Sequence, residues 1–160
     1  MEGWNDFFVA AAGTASVLAG LLFVGLSINL ERLLRVPTVL LRASATIALL
    51  GNVIGISLLM LVPTITVRRS GIALLALNAG VAIFVGWLSQ RSIRMGPPAF
   101  RSAQIAGAVL CMFAMAPLLI GSALLLGGHT SGLGWLVPGF LLSFAATLIE
   151  SWVVLVEINH

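Results

Sequence analysis

Between Arg101 and Glu150 the chain carries no charged side chain over 48 residues, and the intervals 7–30, 43–67 and 70–90 are equally bare over 24, 25 and 21 residues. A helix needs about 20 apolar residues to cross the hydrocarbon of a bilayer. The longest interval is long enough for two crossings, with GGHTSGLG (127–134) as the turn between them. The sequence therefore predicts an all-α polytopic membrane protein. It is expected to be a single transmembrane domain over 1–160, a bundle of five helices at about 5–30, 43–63, 71–89, 103–126 and 135–156. Only 8% of the residues are charged, against about 25% in soluble domains, too few for a water-facing surface.

Charge distribution predicts how the chain sits. Eight arginines, no lysine and five acids give a net charge of +3. The arginines are spread over three short inter-span loops, so the expected partner is the lipid bilayer and not nucleic acid. With five spans, Arg32, Arg35, Arg42, Arg91, Arg94 and Arg101 share one side with the C-terminus. Arg68 and Arg69 lie on the other side, with the acidic N-terminus. The positive-inside bias then puts the C-terminus in the cytoplasm and the N-terminus outside. Trp4 and Trp135 fall at the outer ends of spans and Trp87 and Trp152 at the inner ends, as aromatic belts do. The start MEGWND has no basic segment of the signal-peptide kind, so the first span is expected to be retained.

Local signals fill in the boundaries. Asn5 or Asp6 is expected to cap the first helix. Glu31 and Arg35, at i,i+4 spacing, are expected to pair where that helix leaves the membrane. Pro37 is read as interrupting the loop that follows, and Pro138 as lying in the first turn of the last span.

The residues able to carry chemistry are few. Glu150 lies inside the fifth span, and Ser143 and Thr147 share its helix face. Acids inside membranes are costly and face a bundle interior or a wet cavity. Two readings follow: a proton or cation path along this stripe, or a structural ion pair with Arg32, Arg42 or Arg101. Asn52 and Asn78, near the middle of spans 2 and 3, either line a polar path or join two helices by a hydrogen bond. Small residues recur at every fourth position, as Ala12, Ser16 and Gly20 in span 1, Gly51 and Gly55 in span 2, Ala76 and Gly80 in span 3, and Ala103, Gly107 and Cys111 in span 4. They predict close helix–helix contact, within the chain or in a homo-oligomer.

Enzyme chemistry finds no foothold. Cys111 is the only cysteine, which excludes a paired-cysteine oxidoreductase. His129 and His160 are not placed for a haem bridged by two histidines, and no cluster has zinc spacing. The absence of lysine rules out retinal and pyridoxal Schiff bases. Nucleophile-elbow, HExxH and P-loop patterns are missing as well. No catalytic residue, cofactor or metal is expected.

The run WNDFFVAAAGTASVLAGLLFVGLSINLERLL (4–34) carries a W-x-D-F-F-V-A start, a GLLFV core and a SINLER exit. It resembles the signature of a family of small bacterial inner-membrane proteins, and the arginine, apolar span and LVP end at 42–63 continue the likeness. Some members of that family are named as modulators of the membrane protease FtsH, a label that brings no catalytic motif. The five-span format is also similar to the tryptophan-rich sensory proteins, but their aromatic motifs have no match here and the chain has no tyrosine. The sequence thus predicts a non-enzymatic inner-membrane protein that works through intramembrane helix contacts, self-associating, as an accessory or regulatory subunit of a membrane complex. The alternative is a small channel or transporter subunit passing protons or cations along Glu150, Thr147, Ser143, Asn52 and Asn78.

Overall fold

The computed structural model describes residues 3–63, 66–96, 98 and 101–159, apart from the side chains of Arg32, Arg35 and 154–159. In chain order the helices are α1 (Asn5–Ile28), α2 (Leu30–Arg35), α3 (Pro37–Met60), α4 (Val67–Met95), α5 (Arg101–Leu126) and α6 (Gly132–Asn159). All but α2 contain a stretch long and apolar enough to cross a membrane, and there is no strand among the described residues. The chain is a multi-pass membrane protein whose outer helix faces contact lipid.

The long helices run up and down. α3, α4, α5 and α6 close a ring in which each packs against the next and α6 returns to α3. α1 lies outside the ring against α3. Burial follows this plan: 56% of the spanning window of α3 is inside the protein, but only 17% of that of α1. α1 meets α3 through Phe8, Ala11 and Ala15, three residues one to two turns apart on a single face.

Several boundaries differ from those expected. Trp4, not Asn5 or Asp6, is the cap residue of α1, and no side chain bonds the free N–H groups there. Asp6 instead sits in the first turn, where its charge suits the helix dipole. The Glu31–Arg35 pairing falls outside the described side chains. Pro37 does not interrupt a loop; it begins α3. Its fixed φ and missing N–H suit the first position of a helix. As a result Arg42 belongs to the second turn of a spanning helix and not to a loop. Pro138 lies within α6 and not in its first turn, because α6 starts earlier, at Gly132.

The early start of α6 follows from how α5 ends. The N–H of His129 donates to the carbonyl of Leu124 and that of Gly128 to Leu125. Gly128 has φ +83°. This is the Schellman pattern, in which a left-handed residue, nearly always glycine, closes the last turn. The hairpin then packs tightly, since a Cβ on Gly121 would lie 2.8 Å from the carbonyl oxygen of Gly132.

Aromatic side chains mark two levels. Trp135 is exposed near one end of the bundle, and Trp87 and Trp152 towards the other. The guanidinium of Arg91 lies 5.3 Å from the centre of the Trp87 ring, a cation–π contact at that second level.

Candidate functional site: two polar layers inside the ring

Inside the ring, the buried hydroxyls of Thr46, Ser57, Ser143 and Thr147 donate to their own helices, while side chains bond from helix to helix at two depths. The first lies near the end that carries the start of α3 and the finish of α4. Here Nε and Nη2 of Arg42 both donate to Oε2 of Glu150, at 3.1 and 2.8 Å. Both side chains are more than nine-tenths buried. An early start for α3 puts Arg42 at this depth, and α6 delivers Glu150 from the adjacent helix. Gly107 of α5 makes room for the carboxylate: a Cβ there would collide with Oε1 of Glu150. Gln104 of α5 and Ser92 of α4 are buried at the same level. The Gln104 amide lies over Gly96 so closely that a Cβ at Gly96 would strike it.

The second layer lies about ten residues further along α3, or about 15 Å at the helical rise of 1.5 Å per residue. Nδ2 of Asn52 donates to Oδ1 of Asn78 at 2.7 Å. Nδ2 of Asn78 donates to Oγ of Ser122 at 2.8 Å, and that hydroxyl donates to the carbonyl of Leu118. The chain of bonds joins α3, α4 and α5, and all three residues are fully buried. Of the two readings of the asparagines, the geometry realises the interhelical hydrogen bond.

Between the layers the ring is filled. Leu49, Val85, Ala114, Met115 and Ala146 form an apolar cluster with Ala45, Leu88 and Cys111. Ser143 and Thr147 are buried on the same face of α6 as Glu150, as expected. Their hydroxyls donate to their own helix, Ser143 to the carbonyl of Gly139 and Thr147 to that of Ser143. A hydroxyl so occupied needs no partner across the ring.

The small-residue rows pack within the chain only in part. Ser16, Gly20 and Gly51 are exposed on the outside of the bundle, and Ala12 is half-buried. A Cβ on Gly20 or Gly51 would meet nothing within 4 Å. In the rows of spans 1 and 2 only Gly55 packs closely within the chain, where a Cβ would lie 3.0 Å from the end of Leu77, and in the span-4 row Gly107 lies against Glu150. In α1 the inward row is Ala11 and Ala15, one residue before the row inferred from spacing. A 100° step per residue is enough to turn a stripe from protein to lipid, and an Ala-rich helix offers several stripes of equal merit. The glycines that do permit close approach include Gly71, against the backbone of Leu125 and Leu126, and Gly139, against Leu118.

Ser92, Gln104 and Ser122 complete these layers and carry no strong signal alone, whereas Gly107 belongs to the span-4 row of small residues that the spacing singled out. The i,i+3,i+7 spacing of Gln104, Gly107 and Cys111 does place them on one face. Among the described residues no three His, Cys, Asp or Glu side chains gather where they could hold a metal ion.

The fold and its interior define a class: a multi-pass helical membrane protein with a polar-layered four-helix ring and a peripheral first helix. Compared with family models, with curated proteins and with solved structures, the chain matches none.

Proposed function

We propose that this is a non-enzymatic inner-membrane protein that acts through contacts of its lipid-facing helices, self-associating and serving as an accessory or regulatory subunit of a membrane complex. The observation that carries this reading is the apolar plug between the two polar layers. Leu49 and Val85 at 0% and Met115 at 1% exposure fill the ring there, and the buried hydroxyls at that depth, Thr46, Ser143 and Thr147, donate to carbonyls of their own helices. An ion crossing there would lose its hydration and meet an interior that is largely apolar. The polar groups therefore serve to hold the helices together, and what remains for function is the outer surface.

That surface is most open at α1. Gly13, Ser16 and Gly20 face outward from the least buried span. Beside it, an apolar groove of about 180 Å³ runs between α1 and α6, lined by Phe7, Phe140 and Phe144 among others. Small residues let a second backbone approach closely in lipid. The N-terminal signature resembling bacterial inner-membrane proteins, with its FtsH-modulator label, lies largely in this same helix. The chain is oriented with its N-terminus outside. Arg42 is neutralised inside the ring, yet the remaining arginines still favour a cytoplasmic C-terminus by five to two.

Measuring the mass of the protein in lipid nanodiscs tests the reading, together with proton and cation flux in liposomes. The expected result is a multiple of the 16.7 kDa chain, no flux, and dissociation by Gly20→Leu without loss of thermal stability. A monomer that conducts protons would overturn it in favour of the transport alternative.

A further inference from the structure

We infer that the ring holds a buried water-binding site at the level of the ion pair, in which one water bridges Gln104 and Ser92 beside Arg42 and Glu150. Three observations converge. A cavity of about 20 Å³ lies here, lined by Arg42, Ser92, Gln104, Gly107, Cys111 and Glu150 among others. Two of its wall residues have a polar atom without a hydrogen-bond partner in the protein, Oγ of Ser92 and Oε1 of Gln104. Both residues are buried, at 2% and 5% exposure. Buried polar atoms are almost always satisfied, and an orphan costs about 1–3 kcal/mol.

Size and charge select the occupant. A cavity that takes a water needs about 10–15 Å³ on this measure and two or more polar partners. The space therefore suits one water and excludes any larger solute. Arg42 and Glu150 cancel each other's charge, so the site has no net demand for a counter-ion. Gln104 Oε1 can only accept, whereas Ser92 Oγ can accept or donate. Water offers both functions, and one molecule can satisfy both orphans. It would tie α4 and α5 to the α3–α6 ion pair and partly hydrate that pair within the membrane. The inference is independent of whether the chain self-associates.

Cys111 supplies the reporter. It is the only cysteine in the sequence, it is buried, and it lines the cavity. Its S–H stretch is a single infrared band, which moves when the proton is exchanged for deuterium. With the wild-type protein in nanodiscs transferred to D2O, the S–H band is expected to convert to S–D well before the protected amides of the ring exchange. In Ser92→Ala/Gln104→Leu, which removes both orphan atoms, conversion should slow by about tenfold or more, towards the rate of opening of the bundle. Ser92→Ala alone is a conservative second variant and should give an intermediate rate. Thermal unfolding of each variant verifies that the fold is kept. A wild-type S–H band that outlasts the ring amides would mean a dry cavity and overturn the inference. Equally fast conversion in folded variants would also overturn it, because Cys111 would then be reached by another route.

Discussion

Arg42 and Glu150 stand 108 positions apart and meet through two hydrogen bonds to a single carboxylate oxygen, with both side chains buried. The contact closes the ring between its first and last helices, α3 and α6. Its two bonds converge on Oε2, and Oε1 faces Gly107 of a third helix. Loss of either charge is therefore felt by three helices at once.

Glu150→Gln removes the charge and keeps the shape. It is expected to cost about 3 kcal/mol or more, because the Arg42 charge is then buried without its carboxylate. The double variant Arg42→Met/Glu150→Leu should recover most of that loss, since an apolar pair of similar volume has no charge to desolvate. Thermal unfolding of the single and double variants in one detergent reads the coupling. A Gln variant that melts with the wild type would remove the ion pair from the account of stability.

Glycines at two positions should respond in opposite ways to alanine. Gly71→Ala places a methyl against the backbone of Leu125 and Leu126, which cannot move aside, and is expected to cost about 1–3 kcal/mol as overpacking does. Gly51→Ala puts a methyl into open space outside the bundle, and should be neutral or stabilise by up to about 1 kcal/mol through helix propensity. Melting temperatures in a common detergent decide it. Equal losses at both sites would mean that the outer face at Gly51 is itself packed, against another copy or another protein.

The asparagine layer predicts a ranking. Asn78 makes two side-chain hydrogen bonds and Asn52 one, so Asn78→Leu should destabilise more than Asn52→Leu. Each interhelical bond of this kind is worth about 0.5–2 kcal/mol in a membrane. Oδ1 of Asn52 has no partner in the protein, so Asn52→Leu also relieves an orphan acceptor. Unfolding midpoints of the two variants give the order, and a reversed order would contradict the bonding pattern.

Orientation can be read with reporter fusions. A fusion in the α5–α6 turn at Gly128 is expected to report from outside, and one after residue 160 from the cytoplasm. The opposite pair of signals would reverse the charge-based assignment.

The number of spanning helices was legible because it depends on one-dimensional quantities. Interval length between charges, set against the thickness of hydrocarbon, yields five crossings in the sequence, and the described residues hold five helices long and apolar enough to cross. That Glu150, Ser143, Thr147, Asn52 and Asn78 would point inward was legible too, since a polar group in lipid has few alternatives. The boundary of α3 was in principle legible as well: a proline five residues before Arg42 is a helix-start signal.

What the sequence by itself determined is that this chain lives in a membrane as helices, and that a handful of polar side chains must be hidden there. Only the tertiary structure decided which groups hide one another: Arg42 for Glu150, Asn78 for Asn52 and Ser122 for Asn78. It also decided that α1 stays outside the ring, and that Gly71 and Gly139 are among the close contacts while Gly20 and Gly51 face outward. The physical reason is that helix packing in lipid has no strong apolar pattern to guide it. Every face of these helices is hydrophobic, so rotation and neighbour order are set by steric fit and a few buried hydrogen bonds between residues far apart in sequence.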